Sequence, residues 1–374
     1  MSKVMTEKLY IISTSDEPNN VIFGHADFAK AAGLEPVFVF PRRPSSQDFR
    51  AFYLGYQTVR LNFTFSAISA FFYLRSVILL MLYVTRTFLF QRQAKHFLAI
   101  DLVGTVACLF LKLRGACIHT LVNDNFSARY DISPRVFAIL RAIESSILRL
   151  ISSSCIFPDK SRYVLLGSPR IRRLCYVPNL LSDAYAPPYK GSNSDKLIVM
   201  LCGWLVDSRG IELLADILDH TVDNVEFMLV GSGDEATLNF LAAKKRIKYL
   251  GHVNRNANLE LMSKVDINVA FYNPRILINR FALPQKIYDS LMIGCPLFVN
   301  SEVEMSVALL KSGSCFTAEY FDVPTISRKL NELAKDKKPL EEVSRAMVNY
   351  RTKHANFSQA QLAGQNFYRE ILSL

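Results

Sequence analysis

Residues 197–218 read LIVMLCGWLVDSRGIELLADIL: an apolar run, a short loop carrying Gly203 and Gly210, then apolar residues at helical spacing from Ile211 to Leu218. The pattern is that of a strand, a turn and a helix. A glycine at the strand end permits close backbone approach, and the helix start behind it presents free N–H groups to an anion. Arg209 lies where it would add a full positive charge to a diphosphate. Taken alone, the same residues also fit an ordinary strand-to-helix turn with a solvated arginine.

Working outward, the alternation continues with strands expected at Lys196–Cys202, Val225–Val230, Ile247–Leu250, Ile267–Phe271 and Pro296–Asn300. It has a counterpart in the first half, at Leu9–Ser13, Val37–Phe40, Phe97–Ile100 and Cys117–Val122, with a helix through Phe28–Ala32. Strand and helix in alternation predict a parallel sheet covered by helices. With 374 residues the chain exceeds one ordinary core. The expected fold class is therefore α/β, with two Rossmann-like doubly wound domains. They span residues 1–185 and 186–354 and are joined through the polar Ser182–Asp195 segment with Pro187, Pro188 and Gly191. Residues 355–374 form an amphipathic stretch expected to cross back onto the first domain.

Hydrophobic residues at 50% and charged residues at 21% support full cores and exclude a disordered chain. The net charge of +11 favours an anionic partner. Seven scattered cysteines without a C-x-x-C pair point to reduced core thiols and a cytoplasmic setting, not to a disulfide frame or zinc site. Met1–Tyr10 has no apolar run of the secretory kind. Between Asp48 and Asp101 no acidic residue occurs, while arginines stand among many aromatic and aliphatic side chains. Arg75 and Arg86 divide this stretch into pieces shorter than the roughly 18 residues a bilayer span needs. Two readings remain: an amphipathic helix lying on an anionic membrane surface, or a core helix with a solvated arginine edge.

Further blocks follow in order: VEFMLVGSGDE (225–235), with Gly231, Ser232 and Gly233 closing a strand; IKYLGHV (247–253); and NRFALPQKIYDSLMIGCPLFVN (279–300). Their order resembles the nucleotide-binding half of family 4 glycosyltransferases, retaining enzymes of the GT-B fold, across most of residues 197–310. The resemblance implies two domains facing a central cleft and a donor nucleotide at the carboxyl ends of the second set of strands. It implies that Gly203, Arg209, Gly231 and Lys286 meet the diphosphate, that His252 and Val253 meet the base, and that Asp289 binds ribose hydroxyls. Lys286 and Asp289 are three residues apart, so a helix would turn both to one side. The chain departs from the family pattern at Phe281, eight positions before Asp289, where a glutamate is usual, and at Trp204, where an arginine is common.

In the first half, TLVNDNFSARY (120–130) follows a strand, and Asp124 matches the loop position where the family holds a histidine or aspartate near the transferred sugar. A plain Asx-rich turn is the alternative. His119 lies inside the apolar strand and reads as a core histidine. The acceptor is expected at the Ser13–Gly24 loop, with Asp16, Glu17, Asn19 and Asn20. The implied function is a metal-independent, hexosyltransferase-like glycosyltransferase with no cofactor beyond its nucleotide-sugar donor. It would act on a saccharide or lipid-linked acceptor in cell-surface polysaccharide or glycoconjugate synthesis, with Asp124, Arg209 and Lys286 as the catalytic set. It would be cytoplasmic and peripheral on the inner face of the cell membrane. The competing functions are a nucleotide-sugar epimerase of the same fold and a catalytically silent nucleotide-sugar-binding protein. Nucleic acid is not expected as a partner, because the basic residues occur in the apolar stretch and in the short Lys160–Arg173 set.

Overall fold

The computed structural model describes residues 7–14, 20–42, 55–65, 69–179, 186–354 and 357–372. The chain divides into two compact units, Met1–Leu181 with Phe357–Leu374, and Ser182–Asn356.

The first unit is built on β1 (Lys8–Ile12), β2 (Glu35–Arg42), β3 (Gln57–Thr64), β4 (His96–Ile100), β5 (Cys117–Leu121), β6 (Ser154–Phe157) and β7 (Leu174–Tyr176). They form one parallel sheet in the order β3-β2-β1-β4-β5-β6-β7. The second holds β8 (Leu197–Leu205), β9 (Val225–Gly233), β10 (Ile247–Tyr249), β11 (Ile267–Ala270), β12 (Leu297–Asn300) and β13 (Phe316–Ala318), parallel in the order β10-β9-β8-β11-β12-β13. Central strands such as β4, HFLAI, are buried along their whole length because helices cover both sheet faces. In each sheet the strand order reverses once, between β1 and β4 and between β8 and β11. Open parallel sheets generally place their ligands at such a reversal, outside the carboxyl ends of the strands.

β8 and β9 stay paired to their last residues, where Gly203 faces Gly231. A Cβ on Gly231, whose φ is +143°, would stand 1.8 Å from the Gly203 carbonyl oxygen, so only glycine allows this approach. The expected diphosphate-binding Gly231 thus has a structural duty in the sheet.

The expected linker is only partly a linker. Its second half docks on the second unit: Tyr189 Oη donates to the Asp266 carbonyl at 3.0 Å, and Lys190 N–H donates to the Ser263 carbonyl at 2.9 Å. The C-terminal helix, Phe357–Leu372, belongs to the first unit and packs on the Asn20–Ala31 helix, where Tyr368 Oη lies 3.1 Å from His25 Nδ1. Gly364 lets the two helices meet, since a Cβ there would stand 2.4 Å from the Phe28 ring. Gly364→Ala is expected to cost about 1–3 kcal/mol by overpacking, read as a lower urea midpoint with an unchanged m-value.

Arg75 and Arg86 do not divide the stretch into shorter pieces as expected. The helix Ala70–Phe88 runs through both arginines and, among the described residues, is the one long and apolar enough to cross a bilayer. Its Leu80, Val84 and Phe88 are nevertheless buried in the first unit's core. The strand β3 in the same region was not expected from sequence. All seven cysteines are free, five of them buried, and His119 is a core histidine, its pKa lowered to about 3 by burial.

Candidate functional site

The carboxyl end of the second sheet gathers the chemistry. At the end of β8 the chain turns through Asp207–Arg209 into the helix Ile211–His220. This turn is anchored by Tyr320, whose hydroxyl accepts from Gly210 N–H at 3.2 Å and lies 2.9 Å from Glu212 Oε1 as a donor. Glu212 also accepts from Asn273 Nδ2 at 2.7 Å, and Asn273 N–H donates to the Ser208 carbonyl at 2.9 Å. The loops after β8 and β11, the neighbouring strands at the reversal, are therefore tied together.

Between them stands Tyr272. Asn300, fully buried at the end of β12, accepts from Tyr272 N–H at 2.8 Å and donates to its carbonyl at 3.1 Å, so this peptide has little freedom. The Arg209 guanidinium carbon lies 4.3 Å from the centre of the Tyr272 ring, and Lys286 Nζ lies 5.5 Å from it. One aromatic face system thus holds both cations that the sequence assigned to a diphosphate, an arrangement favoured by the ring quadrupole. Among the described residues neither cation makes an ion pair. Burial first, and then the neighbouring Arg209 charge, lower the Lys286 pKa to about 8. The site is short of negative charge.

Lys286 and Asp289 share the helix Gln285–Ile293, with Pro284 at its N-cap position. Asp289 is buried and does not pair with Lys286. Its Oδ1 accepts from Arg255 Nη2 at 2.9 Å and from Gln285 Nε2 at 3.1 Å. Burial raises its pKa although the Arg255 charge opposes the shift. Two buried atoms beside this carboxylate, Arg255 Nε and Gln285 Oε1, have no hydrogen-bond partner among the described residues. One is a donor and the other an acceptor. Arg255, at the start of the helix Arg255–Met262, was missed in the sequence because only the fold carries it to Asp289.

Gly203, Gly231 and Trp204 lie at the ends of β8 and β9, with Trp204 exposed. His252 and Val253 follow β10; His252 is exposed, while Val253 packs against the buried cluster containing Cys202 and Met292. Phe281 closes the short helix Leu277–Arg280.

Asp124 lies in the first unit, after β5. Its loop is held by Asp101, a residue at φ +55° whose Oδ1 accepts from Asn123 N–H at 2.8 Å and Asp124 N–H at 3.2 Å. Glu144, which is buried, accepts from Phe126 and Ser127 N–H at 2.8 and 2.9 Å. The Asp124 carboxylate meets Arg162 at 3.1 Å and Arg129 at 3.7 Å, and Arg129 pairs with Asp101 at 2.7 Å. This is more than an Asx turn: it is a partly exposed charge network around the buried Arg162, and desolvation is the chief cause that raises the Asp101 pKa. In the expected acceptor loop, Asp16, Glu17 and Asn19 lie outside the described residues, as does the Asn20 side chain. Among the described residues no cluster of three or more His, Cys, Asp or Glu could hold a metal ion.

No protein-family model and no curated protein matches the chain. Solved structures do. Sucrose-phosphate synthase from Thermosynechococcus elongatus aligns with a TM-score of 0.79 at 12% identity, over 98% of this chain and 99% of that one. Anabaena HepE, solved with UDP and glucose, gives 0.71 at 14% identity over 98% and 100%. TarM gives 0.71 at 8% identity over 98% and 100%. The shared fold is GT-B.

Proposed function

We propose that this chain is a glycosyltransferase that binds a nucleoside diphosphate sugar at the carboxyl end of its second sheet. It passes the sugar to a saccharide or lipid-linked saccharide acceptor, with retention of configuration and without a metal. The observation that carries the reading is the pair of cations, Arg209 and Lys286, gathered on the Tyr272 ring at the strand-order reversal. As the bond between the sugar carbon and the diphosphate oxygen breaks, negative charge grows on the leaving diphosphate. Preorganised cations in a partly dry site favour that state over the ground state.

The surroundings of Asp289 support the nucleoside end. A buried carboxylate flanked by an unpartnered donor on Arg255 and an unpartnered acceptor on Gln285 suits hydroxyl groups, which offer both functions at once. A ribose has two such groups side by side. HepE, a protein of the same fold, is seen with UDP and with UDP-glucose, which adds weight to a uridine nucleotide as the first donor to try. Asp124, restrained by Arg162 and Arg129, is assigned to the transferred sugar. Free core thiols are in keeping with a cytoplasmic place of work.

The test is a thermal-shift screen of nucleotide sugars followed by product analysis. A true donor at a hundred times its Kd stabilises the fold by about 2.7 kcal/mol. One donor should raise Tm and then release nucleotide only when a saccharide acceptor is added. An altered sugar formed without acceptor identifies an epimerase. A shift with no product under any acceptor identifies the silent binder, which Trp204 and Phe281 at the two family positions would favour. No shift with any nucleotide sugar overturns the proposal.

A further inference from the structure

We infer that one helical face of the first unit docks on the surface of an anionic lipid bilayer. The face is wider than the basic, apolar stretch noticed in the sequence. Three helices, Ala70–Phe88, Leu109–Leu113 and Pro134–Ile151, turn their inner sides to one core cluster through Leu80, Leu111 and Ile151. They therefore cover the same side of the seven-stranded sheet.

Their outer sides are apolar where a water-facing helix is usually polar. On Pro134–Ile151 the exposed residues Val136, Ile139, Ile143 and Leu150 recur at helical spacing, with Ile139 61% and Leu150 70% exposed. Leu113 is 75% exposed and Phe71 is 72% exposed. The helix Asp101–Ala107 touches all three, so their outward apolar side chains lie over one sheet face, a surface of the kind soluble monomers rarely leave bare.

Charge identifies the occupant. The outward-facing ionised residues of the two long helices are all cationic: Arg75 and Arg86 on one, Arg135 and Arg149 on the other are exposed. Their single carboxylate, Glu144, is turned inward and taken up by the Phe126 and Ser127 N–H groups. A protein partner with an apolar groove would explain the isoleucines and leucines but not this one-sided sorting of charge. An anionic headgroup layer over acyl chains matches both, with arginines at the phosphates and apolar side chains at the acyl boundary. Among the described residues of the loops and helices on this face, the exposed acid is Asp131, in the turn ahead of the second long helix. Because the face lies within the first unit and the donor site within the second, docking is measured without reference to sugar transfer.

The full chain is to be floated with vesicles of phosphatidylcholine alone and of phosphatidylcholine mixed with phosphatidylglycerol. Wild type should rise with the anionic vesicles at low salt, fall back as salt increases, and stay behind with the neutral ones. Ile139→Asp with Ile143→Asp should cut the floated fraction about tenfold or more, with Tm unchanged because both side chains are exposed. Leu362→Asp, exposed on the C-terminal helix, should float as wild type does. Equal flotation of wild type and the double variant overturns the inference, and so does wild type that fails to float at low salt. A wild-type dimer by sedimentation that the double variant converts to monomer, without vesicle binding, assigns the face to a second copy and also overturns it.

Discussion

Lys286→Ala should lower the turnover of sugar transfer by about a hundredfold to a thousandfold, with a smaller change in donor KM and a melting temperature no lower than that of wild type, because the desolvated ammonium is gone. That is the scale for removing one preorganised charge from a developing anion, about 3 kcal/mol of barrier. Arg209→Ala should act alike. Because both cations stand on Tyr272, the double variant should fall short of the product of the two losses, since contacting groups couple. Lys286 also predicts a pH dependence with a definite sign. Its folded pKa is lowered to about 8, below the ordinary lysine value, chiefly by burial. Folding alone therefore releases a proton between about pH 8 and the unfolded lysine value, and the ligand-free protein gains stability as pH rises through that window. Diphosphate binding has the opposite sign. A bound anion favours the ammonium, so binding takes up a proton above pH 8, and affinity should weaken by up to about tenfold per pH unit. UDP titrations by calorimetry from pH 7 to the alkaline side check this, with Lys286→Arg expected to remove the inflection because arginine does not titrate there. A flat profile in wild type, or near-normal transfer by both alanine variants, would refute the assignment of these cations to phosphate.

How much of this was readable in advance depends on how local each cause is. Strands β8, β9 and β11 were legible because largely buried strands leave apolar runs, unbroken in β8 and interrupted only by Glu226 in β9 and Asn268 in β11, closed by Gly203, Gly231 or a polar loop. β3 was overlooked because it is a mostly exposed edge strand without an apolar run, although Val59, Leu61 and Phe63 alternate with polar residues as a half-buried strand's do. Lys286 and Arg209 were legible as charges beside helix starts, whereas the ring that joins them was not. Tyr272 takes its meaning from Asn300, distant in sequence, which fixes its backbone. The same limit hid Asp101, whose left-handed backbone and inward carboxylate order the Asp124 loop by tertiary contacts alone. Helical spacing could have shown the apolar stripe of Pro134–Ile151, but periodicity does not say which of two apolar sides meets the core. Here Leu148 and Ile151 do, and Ile139 and Ile143 do not.

Arg255→Ala is expected to damage the fold severely, costing about 3–5 kcal/mol, the scale for breaking a buried ion pair from one side. The reason lies with the partner left behind. Asp289 is buried, and burial already raises its pKa against the pull of Arg255. With the guanidinium gone, nothing but Gln285 Nε2 opposes the desolvation of the carboxylate, and its pKa should rise further. A carboxyl whose folded pKa exceeds its unfolded value binds its proton more tightly when folded, so its contribution falls as pH rises through the interval between them. The Arg255→Ala penalty should therefore be largest near neutrality and shrink in acid, where Asp289 is protonated; urea unfolding at pH 5 and pH 8 measures the difference. Replacing both partners, Asp289→Leu with Arg255→Met, should recover most of the stability, because apolar residues of similar volume carry no desolvation cost. It should not recover nucleotide binding. Stability and affinity would then part company at one pair of side chains, which is what a buried pair kept for ligand recognition predicts. If the double replacement restored both, Asp289 and Arg255 would be packing residues only, and the ribose end of the site would have to be sought elsewhere.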